Sequence, residues 1–119
     1  MRYRVLMVED EPINRKVLEH MLDSIDCDYD VADIGTKAVR LALSKPYDII
    51  LLDIQLPETD GYQIAQAIRK THPAVPIVAQ TAHAMPEDKK KCLDAGCNDY
   101  LTKPIQYDLL INTLKKYFA

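Results

Sequence analysis

The sequence has no tryptophan, one phenylalanine and three glycines in 119 residues. So little glycine, beside seven prolines, excludes a fibrous or low-complexity chain. Long apolar runs are missing as well. The stretch Ile49 to Leu52 is far shorter than the ~20 residues that cross a bilayer, and Met1-Arg2-Tyr3-Arg4 leads into a short run rather than the core of a signal peptide. Cysteine is scarce: Cys27, Cys92 and Cys97 include no Cys-x-x-Cys pair, which signals neither a disulfide framework nor a zinc site and leaves buried, reduced thiols as the expectation. There is no basic excess. Fifteen Lys and Arg against eighteen Asp and Glu give a net charge of -3, which argues against direct nucleic-acid or membrane-surface binding through phosphate neutralisation. The compartment these absences suggest is the cytoplasm. What is present, 48% hydrophobic and 28% charged residues, describes a globular chain. Its length suits a single domain, 1–119, that buries roughly two thirds of its unfolded surface.

Apolar runs alternate with segments of helical spacing through the whole chain, without a linker or shift in composition. The pattern is strand then helix, five times. Strands are expected at Arg4 to Val8, Asp28 to Ala32, Tyr47 to Leu52, Pro76 to Gln80 and Asp99 to Thr102. The first, third and fourth are apolar on both faces, as central parallel strands covered by helices are. Ile13, Val17, Leu18, Met21 and Leu22 form one stripe of a first helix, with Pro12 in its first turn. Further helices are expected from Gly35-Thr36 to about Leu43, Tyr62 to Lys70, Pro86 to Ala95 with Gly96 as the stop, and Gln106 to Phe118. Five such units wind into an open parallel sheet with helices on both faces, whereas an eight-fold barrel needs about twice the length. In an open sheet of this kind, sites form beyond the carboxyl ends of the strands, where strand order reverses.

At those ends stand Glu9, Asp10 and Glu11 after the first strand, Asp53 after the third, Thr81 after the fourth and Lys103 after the fifth. If the first and third strands are neighbours, Glu9, Asp10 and Asp53 converge, and two carboxylates ~4 Å apart repel by about 4 kcal/mol at an effective dielectric near 20. A hard divalent cation relieves that repulsion, and Mg2+ favours one or two carboxylates, retained waters and a phosphate oxygen. A plain ion-pair network through Lys103 is the alternative. Glu11, before Pro12, also fits an ordinary helix-entry charge. Taken together, the set suggests phosphoryl chemistry on a carboxylate: Asp53 as nucleophile, a metal held by Glu9 and Asp10, and Lys103 and Thr81 gathering phosphoryl oxygens by position and charge.

The sequence resembles the receiver domain of two-component response regulators over essentially its whole length. The likeness is carried by Val8-Glu9-Asp10-Glu11, by Ile49 through Pro57 with Asp60-Gly61, by Thr81-Ala82, and by Asp99-Tyr100-Leu101-Thr102-Lys103-Pro104. Asn14, Thr81 through Met85 and Cys92 through Gly96 look most like receivers of hybrid sensor kinases or single-domain relay proteins. The resemblance implies a flavodoxin-like α/β sandwich, a doubly wound five-stranded parallel sheet in the order 2-1-3-4-5. It implies that Asp53 accepts a phosphoryl group from phosphohistidine on a sensor histidine kinase or histidine phosphotransfer protein. It further implies Mg2+ on Asp10, Asp53 and the main-chain carbonyl of Gln55, with Glu9 acting through water. Lys103, the Thr81 hydroxyl and the amides of Gln55 and Ala82 would bind the acyl phosphate. A phosphoryl group adds about -1.5 to -2 charges; in the family this draws in the residue at Thr81, and the aromatic at Tyr100 rotates. The surface of the fourth helix, fifth strand and fifth helix would then read out the state to a downstream protein. Such a domain is a signalling module that assists its own phosphoryl transfer and autodephosphorylation, not a turnover enzyme. It would be cytoplasmic, either free or carried by a membrane-bound hybrid kinase. Gln55 and His83, which border the acyl phosphate in receivers, are candidates for setting its hydrolysis rate.

Other signals carry less. Asp26-Cys27-Asp28-Tyr29-Asp30 imitates the start of a calcium loop, but Val31 and Lys37 stand where Gly and Glu belong; the aspartates suit a solvated turn and an edge strand. Lys89-Lys90-Lys91 reads as a solvated helix face open to a partner, and His20 and His72 as surface or helix-end residues. A flavodoxin-like electron carrier needs a phosphate-cradling loop where Glu9-Asp10-Glu11 would repel phosphate. A haloacid-dehalogenase-like phosphatase needs a second Asp where Gln55 stands. A degenerate receiver acting only through protein interaction is the remaining alternative, against which every acceptor position is filled.

Overall fold

The computed structural model describes residues 2–56, 59–82 and 85–118. Ten elements alternate: β1 (Tyr3–Val8), α1 (Pro12–Asp23), β2 (Cys27–Ala32), α2 (Gly35–Ser44), β3 (Ile49–Asp53), α3 (Gly61–Thr71), β4 (Ile77–Thr81), α4 (Pro86–Asp94), β5 (Asp99–Thr102) and α5 (Tyr107–Phe118). All strand pairs are parallel and the order is β2-β1-β3-β4-β5, so the order reverses between β1 and β3.

Side chains alternate across a strand, and here both faces are dry. Val5, Met7, Ile49, Leu51 and Val78 pack against Leu18, Leu22, Leu110 and Leu114 of α1 and α5. Leu6, Val8, Ile50, Leu52, Ile77 and Ala79 pack against α2, α3 and α4 through Ala38, Ala42, Ile64, Ala65, Ile68 and Cys92. The same alternation carries Glu9, Asp53, Gln80 and Lys103 to the α1/α5 face.

Helix starts are made locally. The Glu11 carboxylate accepts from the Asn14 amide at 2.8 Å ahead of Pro12, and Asp60 accepts from the Tyr62 amide at 2.9 Å. Gly61 follows Asp60 because a Cβ there would lie 2.4 Å from the Ile54 Cα. Gly96 ends α4 at a φ of 104°, a conformation L side chains rarely adopt. The Arg69 guanidinium donates to the carbonyls of Gly96, His72, Pro73 and Val75 and to Asn98 Oδ1, fastening the α3–β4 and α4–β5 loops together. At the opposite end from the site, Tyr3 stacks on Phe118 with centroids 4.1 Å apart and donates its hydroxyl to the Phe118 carbonyl.

Element ends differ from the sequence expectations by one or two residues. Asp53 and Thr81 are the last residues of β3 and β4 rather than the first beyond them, and Tyr47 and Pro76 precede their strands. The α1 stripe is buried only in part. Leu18 and Leu22 are enclosed, but Ile13 is 70% and Val17 44% exposed, because the first two turns rise beside the open end of the sheet. The three cysteines are buried and free. Arg2 pairs with Asp26 and Asp28, so those aspartates do serve the turn and edge strand. Lys89, Lys90 and Lys91 are exposed; His20 is exposed, and His72 caps α3 with its Nε2 buried. No helix among the described residues is long and apolar enough to cross a membrane.

Candidate functional site

The reversal of strand order opens a crevice between the ends of β1 and β3, and the acidic residues meet there. Glu9, Asp10 and Asp53 each offer a carboxylate oxygen, all within 4.8 Å of one another. Glu9 and Asp53 are buried, while Asp10 is half-buried at the mouth. The Glu9 amide still donates to Ala32 at 3.0 Å, so the end of the β1 ladder fixes where its side chain starts. Arg15, one turn into α1, donates to the carbonyl of Asp10 at 2.9 Å and to that of Glu9 at 3.4 Å, bracing the loop from below.

Lys103 crosses to this cluster from the far edge of the sheet. Its amide donates to Thr81 O at 2.8 Å, and the peptide to Pro104 is cis. Its Nζ lies 2.9 Å from Asp53 Oδ2 and 3.3 Å from each Glu9 oxygen. The second Asp53 oxygen, Oδ1, accepts from the Gln55 amide at 2.9 Å.

Burial, a hydrogen bond shared with Asp53 and the charge of Asp53 raise the Glu9 carboxyl to about 7, against the pull of Lys103 and Asn14. Burial works against the Lys103 ammonium, but Asp53 and Glu9 outweigh it and hold its pKa above the ordinary value. The pocket thus has an excess of negative charge that one ammonium does not neutralise. Hard oxygen donors in such a cluster fit a small divalent cation.

Around the cluster, Thr81 is buried at the end of β4, and Tyr100 is half-buried against the α2–α4 side of the core. Tyr100 pairs in register with Ala79, two residues before Thr81 on the same face. Lys89 of α4 lies 5.7 Å from the Tyr100 ring centroid, a cation over an aromatic face. The Ala82 amide donates to Gln55 Oε1 at 3.3 Å, so the Gln55 side chain bridges the β3 and β4 ends. His83 lies outside the described residues, as do Pro57 and Ala84 of the receiver-like motifs.

Three residues at the site escaped the sequence reading as functional candidates. Asn14, noted only for its resemblance, favours the ionised form of the Glu9 carboxylate. Arg15 has no sequence signal, since its partners are main-chain atoms. Gln80 had one, a lone polar residue in an apolar strand, and it is wholly buried beside the pocket.

An open, doubly wound α/β domain with an acidic crevice at its switch point is the class that fold and site define. Residues 5–115 match the model of the response regulator receiver domain, and the chain belongs to that family. It is 37% identical over 113 residues to the sensor histidine kinase RcsC of Salmonella typhimurium, a match covering 95% of this chain and 12% of that protein. The chain thus spans about an eighth of that relative. It superposes with a TM-score of 0.91 on the receiver domain of sensor histidine kinase PA1611 from Pseudomonas aeruginosa, which has a magnesium ion coordinated in its active site cleft; identity is 40% and coverage 98% of both chains. The receiver domain of Ssk1 from Saccharomyces cerevisiae, solved with the histidine phosphotransfer protein Ypd1, gives a TM-score of 0.92 at 34% identity, covering 98% of this chain and 88% of that one.

Proposed function

We propose that the domain, residues 1–119, is the phosphoacceptor of a two-component phosphorelay and that Asp53 is the residue phosphorylated. The observation that carries this is the convergence of Glu9, Asp10, Asp53 and Lys103 from three separate strand ends, with the ammonium 2.9 Å from the proposed nucleophile. A carboxylate attacks phosphorus in line; the P–N bond of a partner's phosphohistidine breaks, an O–P bond to Asp53 forms, and the imidazole, already protonated on its other ring nitrogen, leaves neutral. The residues fit Mg2+ held by Asp10, Asp53 and the Gln55 carbonyl, with Glu9 through water; the bound ion would neutralise charge on the phosphoryl oxygens.

The chain's own groups supply the rest. Lys103 is close enough to pass from Asp53 Oδ2 to a phosphoryl oxygen attached there. The Gln55 amide already orients the carboxylate. The Ala82 amide becomes available to the phosphoryl group when the Gln55 side chain lets it go, which gives Gln55 a part in both capture and hydrolysis. Inward movement of Thr81 would vacate space beside Ala79 for Tyr100, and the α4-β5-α5 surface, with Lys89 on it, would change shape for a downstream protein. Exposed Ile13 and Val17 beside the crevice suit an apolar contact with the phosphodonor protein, a sensor histidine kinase or histidine phosphotransfer protein. The setting we propose is cytoplasmic, as a free protein or as the cytoplasmic module of a hybrid kinase.

The test is labelling by a small phosphodonor followed by intact mass. One phosphoryl group should be gained with Mg2+, none after chelation and none in Asp53→Asn. Labelling that survives Asp53→Asn overturns the assignment, and no labelling of the wild-type protein leaves an interaction module.

A further inference from the structure

Behind Lys103 lies a second space. A cavity of about 90 Å³ is lined by Asn14, Val17, Leu18, Gln80, Lys103, Pro104 and Ile105. Its walls are mostly aliphatic, and such a cavity stays dry if nothing polar faces it. Gln80 changes that. The residue is 0% exposed, and among the described residues neither Nε2 nor Oε1 of its carboxamide has a hydrogen-bond partner. A carboxamide offers two donors and an acceptor with two lone pairs, and buried groups of this kind are satisfied either by protein or by ordered water. At ~30 Å³ for each molecule in the liquid, the space suits about three waters.

Its position joins it to the acidic pocket. Gln80 is paired in register with Asp53, on the same face of neighbouring strands. The Lys103 side chain starts beyond β5 and reaches Asp53 on β3 and Glu9 beyond β1, so it must cross β4, the strand that carries Gln80. Asn14, which also lines the cavity, stabilises the ionised Glu9 carboxylate. Of the lining residues, Lys103 therefore touches both carboxylates directly, and the buried Gln80 carboxamide faces the same space.

We propose that Gln80 and Asn14 build a hydration site beneath Lys103, and that Gln80 positions the Lys103 side chain through the waters held there. The hydration site stands on the geometry alone; the positioning role rests on the phosphoacceptor reading. Lys103 must leave Asp53 for a phosphoryl oxygen during transfer, and a hydrated floor can rearrange its hydrogen bonds as the stem moves, which a packed aliphatic floor cannot do.

The hydration site is tested on the wild-type protein by magnetisation transfer between water and the Gln80 side-chain amide protons, and by xenon, which enters dry apolar cavities. Transfer of the sign given by long-lived water, with no xenon shift at the Val17, Leu18 and Ile105 methyls, is expected. Xenon shifts at those methyls, or no transfer from water, would overturn it. Gln80→Met, which keeps bulk but loses the amide, should leave the space dry and admit xenon, with shifts at the Val17, Leu18 and Ile105 methyls. The positioning role is tested by the rate of Asp53 labelling at saturating Mg2+. Gln80→Met should be slower by about threefold or more, since small misplacements at a reacting centre carry large rate penalties. Mg2+ affinity should stay unchanged, and Gln80→Asn, which restores a carboxamide, should recover most of the rate. Equal rates in Gln80→Met and wild type overturn positioning and leave the water signals to decide hydration. If the wild-type protein is not labelled at all, the phosphoacceptor reading and the positioning role fall together, and the water and xenon signals still report on the site.

Discussion

Replacing Glu9 with Gln should stabilise the metal-free protein at alkaline pH and leave it unchanged at acid pH. Glu9 is 0% exposed, and its carboxyl is raised from 4.5 to about 7 by burial first and then by Asp53. Its protonated form is therefore the one the fold prefers. Between those two values the native state binds a proton that the unfolded chain does not. Stability is thus fully present below about 4.5, falls as pH rises, and levels off above about 7. At about 1.4 kcal/mol for each pH unit separating the two, the loss amounts to about 3 kcal/mol. The amide of Gln copies the protonated carboxyl, keeping a donor for Asp53 and an acceptor for Asn14 and Lys103. Urea unfolding with a chelator present, at intervals from pH 5 to pH 8.5, should show the wild-type protein declining while Glu9→Gln stays level. The two should separate by about 3 kcal/mol at the alkaline end. Saturating Mg2+ should restore the wild-type protein more than the variant, because the ion needs the ionised carboxylates. A wild-type stability that stays level across this range without metal, or a variant no more stable than wild type at pH 8.5, would refute the idea that the pocket stores unfavourable charge.

Three further outcomes follow from the fold. Arg69→Ala frees carbonyls of two loops and Asn98 at once and should cost about 3 kcal/mol by denaturant titration, with Arg69→Lys recovering little because an ammonium lacks the fork geometry. Gly61→Ala places a Cβ against the Ile54 main chain, which cannot give way as a side-chain tip would; a loss of about 3 kcal/mol or more is expected in thermal unfolding. Burial pushes the Cys97 thiol up to about 12 and raises those of Cys27 and Cys92, so all three should resist a thiol reagent at pH 8 until denaturant is added.

The strands were legible because a parallel sheet buried on both faces needs unbroken apolar runs, and Leu6 to Val8, Ile49 to Leu52 and Ile77 to Ala79 supply them. The pocket was legible for a related reason: a carboxylate or lysine directly after such a run is forced to a strand end, and open sheets gather those ends. Strand alternation then put Glu9, Asp53 and Lys103 on one face. What could not be read was whatever depends on neighbours distant in sequence. Ile13 and Val17 share the helical spacing of Leu18 and Leu22, yet periodicity does not say how far the sheet extends beneath each turn. Arg69 looks like any basic residue near a helix end, and its acceptors lie in two loops that only the folded chain brings together. Gln80 is polar within an apolar strand, but burial beside a cavity is a property of packing, not of pattern.

The Tyr3–Phe118 stack draws the first strand and the last helix together on the rim of the sheet remote from Asp53. Whatever polypeptide is attached ahead of Tyr3 or behind Phe118 departs from that shared rim, so fused partners at either terminus leave the carboxylates approachable. The same adjacency means that a short bridge could join the two ends and the chain could be reopened elsewhere, with the crevice intact.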